Sequence, residues 1–295
     1  MVTTGASFRP TPEQKAQRAI KKANAVLQEL SDWTSRGDIS IEHVLGREPG
    51  HLDAVLRLRS LPDTDTFLFE FGEALHQLRS SFDNFAFERA EASGMPIANP
   101  RSIYFPIVDD PAKWNASVKP LGSIPAAELD RWKQLQPFTL PVPDTSPLGV
   151  LGRVQIGDKH RTPVVPQPLP GTQGTLEFRL GEALTESGVG PADLQVDFTD
   201  SPELRDGEVV TRYRFGREVV LLPSTASEVA NLAWFIADPP FGRVDIFQLT
   251  QALSEFVPRA FAFMRAGGKA IAQQPIAHST GRDGTLRVFG RSVES

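Results

Sequence analysis

Phe71, Leu75, Leu78, Phe82 and Phe85 recur at intervals of three and four residues in and just before GEALHQLRSSFDNFAFE, the stretch from Gly72 to Glu88. That period places five large apolar side chains along one side of an α-helix, so the rest of the chain must supply a core to cover them. At 100° per residue the opposite side gathers Gly72, His76, Arg79 and Asp83 into a narrow sector, with Glu73, Ser80 and Asn84 beside it. The helix is expected over about Asp65 to Ser93, closed by Gly94 and Pro96.

Other elements follow from similar signals. Thr11, Pro12 and Gln14 form a capping-box start for a helix from Pro12 to Arg36, whose apolar positions run from Ala19 to Trp33. DISIEHV and LDAVLRLRS, separated by GREPG, read as a β-hairpin. SIYFPIV reads as a further strand, short helices start at Pro111 and Pro125, and SPLGVLGRVQIG reads as a helix despite two internal glycines. PVVPQPLPGTQG reads as a Pro/Gly linker. Beyond it TLEFRL, LQVDF, GEVVTRYRF and REVVLL read as strands, while TASEVANLAWFIAD fits either a strand or a helix. An amphipathic helix from about Asp245 to Arg265 closes the fold, and the tail from Gly267 is expected to be loose apart from TLRVFG.

The fold class expected is α+β. A helical domain with a β-hairpin spans residues 1–165, and a mostly antiparallel β-rich unit with a long closing helix spans 166–295. The closing helix can pack back on the first, which would make the two a single unit.

Composition removes several chemistries. The 295 residues include no cysteine, so disulfides, thiolate metal sites and a cysteine nucleophile are excluded. A net charge of -5 supplies no global basic field, so a nucleic-acid site would have to be a local patch. There is no GxGxxG, no P-loop and no GxSxG, so no cofactor is expected. Glu73, His76, Asp83 and His160 could ligate a metal, but their spacing matches no metal motif, and no metal is assigned. MVTTGASFRPTPEQK lacks the apolar core of a signal peptide, and no apolar run approaches the roughly 20 residues that span a bilayer. A soluble, cytoplasmic protein with no membrane partner is expected.

Two polar clusters carry the candidate chemistry. Arg79 offers a planar fork for phosphate or carboxylate, His76 can trade protons near neutral pH, and Asp83 can orient either. Asp158, Lys159, His160 and Arg161, within GDKHR, form the second cluster just past a helix end. Brought together, the clusters would bind a phosphate-bearing ligand such as RNA or a nucleotide, with Ser80, Asn84, Asp158, Lys159 and Arg161 as contacts. Arg79 would then stabilise developing charge while His76 or His160 moved protons. The competing account is non-enzymatic: a scaffold or interaction protein whose clusters form a buried salt-bridge network. In that account the basic residues of GDKHR simply complement a helix dipole.

The blocks GEALHQLRSSFDNFAFE, YFPIVDD, QPF and GDKHR, in that order, resemble a family of uncharacterised bacterial proteins. Its members read G-[DE]-A-[LI]-H-x-L-R-S-x-[LF]-D-[HN], F-P-I, Q-P-[YF] and D-K-H-R, and the resemblance extends from about Pro12 to Arg161. More remotely, the helix is similar to those of the HEPN superfamily, in which an Arg, four to six residues and a His form a metal-independent ribonuclease site. That similarity implies a ribonuclease centred on Arg79, with sites paired across a homodimer. This chain departs from it at Asn84, which occupies the His position.

Overall fold

The computed structural model describes residues 10–159 apart from 47, 49, 61–62, 95 and 97–98. It also describes 164–168, 194–198, 205–215, 228–229, 232–238, 241–268, 271, 273–279 and 286–287. The first helix, α1 (Pro12–Ser35), begins as its sequence requires: Thr11 and Gln14 exchange side-chain and backbone hydrogen bonds in a complete capping box. A hairpin follows, β1 (Ile39–Leu45) and β2 (His51–Leu58), paired antiparallel from Ile39↔Leu58 to Leu45↔Leu52. Helix α2 (Thr64–Ala92) is capped by Asp63, which accepts from the Thr66 backbone N–H and hydroxyl. It lies against α1.

Phe71, Leu75, Leu78, Phe82 and Phe85 are all buried, as their spacing demands. Phe82 and Phe85 enter an aromatic cluster with Phe105, Trp132 and Phe261, with ring centroids 4.9–5.7 Å apart. Full burial of each such ring contributes roughly 1.5–3 kcal/mol.

The strand expected at SIYFPIV is absent. Pro100–Ser102 form a 3-10 turn, and residues 103–108, which begin extended at Ile103, pair with no strand among the described residues. Pro106 has no N–H to give a ladder, and side chains satisfy backbone groups nearby: the Phe105 N–H donates to Asp83 and the Val108 N–H to Gln136. Short helices α3 (Trp114–Val118) and α4 (Ala126–Lys133) lead to α5 (Pro147–Lys159). The two glycines of α5 are close-approach positions. A Cβ on Gly152 would lie 3.2 Å from Ile107 Cγ2, and one on Gly149 3.2 Å from Pro137 Cγ.

The remaining strands are β3 (Val164–Pro168), β4 (Leu194–Phe198), β5 (Val209–Phe215), β6 (Glu228–Val229), β7 (Leu232–Asp238), β8 (Gly242–Asp245), β9 (His278–Ser279) and β10 (Leu286–Arg287). They join the hairpin in two antiparallel sheets: sheet A, ordered β4-β5-β2-β1-β6, and sheet B, ordered β10-β9-β8-β7-β3. The fold is thus α+β, with the N-terminal hairpin sharing sheet A with strands from beyond residue 165. The region read as a linker contributes β3. Among the described strands β3 lies at the edge of sheet B, where the missing N–H groups of Pro166 and Pro168 can be tolerated. The ambiguous run TASEVANLAWFIAD resolves as strands β6 and β7. TLEFRL and REVVLL lie outside the described residues.

Helix α6 (Ile246–Ala266) closes the fold, capped by Asp245 at the Gln248 N–H, and packs on α1. Phe261 of α6 stacks on Phe82 of α2 at 4.9 Å. Trp234 of β7 meets Trp33 at the end of α1 and Phe67 at the start of α2. The segment after Gly267 is not loose where it is described. Gln273 accepts from the Ser146 hydroxyl and donates to Leu135 O, the Ile276 N–H donates to Thr145 O, and His278 is 2% exposed in β9. Polar side chains paired within the core hold this segment, and they give no periodic signal.

Candidate functional site

On α2 the one-turn spacing of Arg79 and Asp83 joins them: Arg79 Nη1 donates to Asp83 Oδ1 at 2.5 Å. Both also reach the segment 103–108 beside α2. Arg79 Nη2 donates to the Phe105 carbonyl at 2.9 Å, and the Phe105 N–H donates to Asp83 Oδ1 at 2.9 Å. An i, i+4 ion pair therefore takes the place of a neighbouring strand, satisfying both backbone groups of a residue that is 1% exposed. The side chains of Arg79 and Asp83 are 12% and 25% exposed, so the pair is screened from water on most sides.

The remaining predicted residues of α2 point elsewhere. His76 and Asn84 are exposed. Ser80 accepts from Lys15 Nζ of α1 at 2.8 Å, and Glu73 pairs with Lys22 of α1 at 2.6 Å. The polar side of α2 thus divides into a seam toward residues 103–108, a seam toward α1 and an exposed ridge that carries His76 and Asn84. Among the described residues no group of three or more His, Asp or Glu is arranged to hold a metal ion. Glu73 and Asp83 already serve Lys22, Arg79 and the Phe105 N–H.

Asp158 and Lys159 lie in the last turn of α5, and their side chains fall outside what the structure describes. His160 and Arg161 lie outside the described residues altogether.

Several polar anchors had no signature in the sequence reading. Arg89 makes two hydrogen bonds to Glu128 of α4, whose side chain is 4% exposed, and these hold the guanidinium above its ordinary pKa. Arg265 of α6 pairs with Glu13 of α1 and Glu88 of α2 while lying over the Phe85 ring, which ties three helices at one point. Burial is the largest single effect and raises the Glu13 carboxyl, but the hydrogen bond and charge of Arg265, with hydrogen bonds from the Glu13 backbone and Thr11, together outweigh it and leave it below the ordinary value. The Arg265 guanidinium is raised in turn, first by Glu13. Lys15 and Lys22 of α1, which meet Ser80 and Glu73, belong to no motif. The Phe105 backbone carried no residue-type signal at all.

Among the described residues no helix is long and apolar enough to cross a membrane. Compared with protein-family models, curated proteins and solved structures, the chain matches none, so its functional reading rests on its own geometry.

Proposed function

We propose that the chain is a non-enzymatic interaction protein in which Arg79 and Asp83 anchor the segment 103–108 instead of reacting with a substrate. One observation supports this above others: both backbone groups of buried Phe105 end on this pair. A catalytic arginine must offer its donors to charge that develops in the transition state. Turning either side chain toward a phosphodiester would strip Phe105 of a partner, at a cost of about 1–3 kcal/mol.

A second reading is favoured by the contact between Lys15 and Ser80, which sets α1 cations against the exposed ridge of α2. Here a phosphate-bearing ligand, RNA or a nucleotide, binds across the two helices without being cleaved. Arg18 and Lys21 are exposed on α1, His76 and Asn84 on α2, and Tyr104 is 57% exposed beside the anchored Phe105. Exposed cations together with an exposed aromatic suit a single strand. Neither reading requires a cofactor.

The test is to incubate labelled single-stranded RNA with wild type, Arg79→Ala and His160→Ala. Equal degradation by all three, at the buffer rate, is expected. Cleavage by wild type that a folded Arg79→Ala protein loses would overturn the non-enzymatic reading. Fluorescence anisotropy with the same RNA decides the second reading: binding must weaken in the Arg18→Glu/Lys21→Glu double variant, and absence of binding by wild type ends it.

A further inference from the structure

A separate concave surface lies on sheet A, built by β4, β5 and the turn that precedes β5. On β5, Thr211, Tyr213 and Phe215 face the core while Arg212 and Arg214 are exposed. The alternation is set by a β-bulge: Thr211 pairs with Ala54 but Val209 with Val55, so Val210 is the extra residue. The turn before it, with Gly207 at φ 83°, is held to β2 by Gly207 N–H to Leu56 O and Leu56 N–H to Glu208 O. It raises Arg205 and Glu208 as a lip. The open cavity is about 400 Å³ and is lined by Arg205, Arg212, Arg214, Asp197, Glu208 and Val209, together with Gly207.

We infer that this cavity binds a small polyanion, a molecule presenting two or more closely spaced carboxylate or phosphate oxygens. Three guanidiniums line the cavity and each has one carboxylate partner, so the second edges of Arg212 and Arg214, not a net charge, are what would meet a ligand. Each arginine is held from one side: Arg212 Nε by Asp53 at 2.8 Å, Arg214 Nε by Asp197 at 2.9 Å and Arg205 Nη2 by Glu208 at 2.7 Å. Asp53 and Asp197 are the direct cross-strand neighbours of Arg212. These contacts orient the forks before any ligand arrives, which reduces the ordering cost of binding. A guanidinium has five N–H donors in a planar fork matched to carboxylate and phosphate, and the ion pairs of Arg212 and Arg214 engage only part of each. With Val209 the one apolar side chain in the lining, the surface offers little to an apolar ligand.

The test uses the full chain at fixed ionic strength, because exposed charges are screened by salt. Inorganic pyrophosphate and citrate are titrated separately by calorimetry and by thermal melting, with sodium chloride as the control. At least one probe is expected to bind saturably and raise the melting temperature, and the stronger probe assigns the site to phosphate or to carboxylate ligands. Arg214→Gln and Arg205→Gln are expected to weaken that binding about tenfold or more, the size of one charge-assisted contact. The Arg205 side chain is 68% exposed, so Arg205→Gln keeps the fold and decides the matter even if Arg214→Gln does not. Weakening in a folded variant supports the site. Failure of both probes to bind wild type, or binding that every folded variant retains in full, overturns it.

Discussion

Asp83 carries two obligations at once, as acceptor for the Phe105 N–H and counter-charge for Arg79. Asp83→Ala is therefore expected to cost about 2–3 kcal/mol in urea unfolding, below the usual range for a fully buried pair because these side chains retain some solvent. Asp83→Asn keeps an acceptor for Phe105 and should lose less. A loss for Asp83→Ala under about 0.5 kcal/mol, the scale of an exposed pair, would show that the anchor contributes little. Asp245 poses a different residue-scale question. Burial raises its carboxyl against the lowering effect of the Gln248 and Phe247 N–H groups. A carboxyl raised on folding favours the folded state when protonated, so its contribution is greatest in acid and is lost as pH rises through the folded value. Asn caps about as well without the charge, so Asp245→Asn should melt at or above wild type at pH 7, with the gap closing toward acid pH. Asp245→Ala should lose about 0.5–2 kcal/mol. A clear drop in melting temperature for Asp245→Asn at neutral pH would refute this account. At this scale the sequence left Asp83 able to orient either His76 or Arg79, and the structure pairs it with Arg79, one turn away. The sequence could not reveal the pair's third partner, since any residue type can supply a backbone N–H and C=O.

The elements that sequence reading placed well, α1, the hairpin, α2 and α6, each combine a cap or turn with strong periodicity. Those it misplaced depend on neighbours. Residues 103–108 have the composition of a strand, yet they are served by side chains of α2 and by Gln136. The β3 run looks like a linker because its prolines are permitted only by its place at a sheet edge. Helix α5 gives the element-scale prediction. Ala at a helical glycine gains up to about 1 kcal/mol of propensity, and the neighbours decide whether that gain survives. At Gly149 the new Cβ meets Pro137 Cγ at 3.2 Å and Pro143 O at 3.4 Å, a proline ring and a backbone atom with little room to yield. At Gly152 it meets the side chain of half-buried Ile107, which can rotate. Gly149→Ala should thus destabilise by about 1–2 kcal/mol, while Gly152→Ala should stay within about 0.5 kcal/mol of wild type. Comparable unfolding midpoints for the two variants would contradict the packing argument.

Sheet and core connect the two ends of the chain. β2 pairs with β5, β1 pairs with β6, Trp234 packs on Trp33 and Phe67, and Phe261 covers Phe82 and Phe85. Arg265 adds ion pairs from α6 to α1 and α2. A fragment ending at residue 165 would therefore leave the β1–β2 hairpin without its sheet and expose several large aromatic rings to water, each costing roughly 1.5–3 kcal/mol of burial. Such a fragment is expected to show no cooperative melt, and the full chain a single transition by both circular dichroism and tryptophan fluorescence. A protease site inserted between residues 169 and 193 separates connectivity from packing: after cleavage the two pieces should co-elute and still melt together. The Glu13–Arg265 pair predicts how that unit responds to acid. Because the Glu13 carboxyl is lowered on folding, its contribution is present above its unfolded value near 4.5 and is lost as pH falls through the folded one. Glu13→Gln should thus be less stable than wild type at pH 7, by no more than about 1 kcal/mol given its exposure. The difference should vanish in acid. Two transitions in the full chain, or an independently folding 1–165 fragment, would instead show that the contacts between the halves follow folding without driving it.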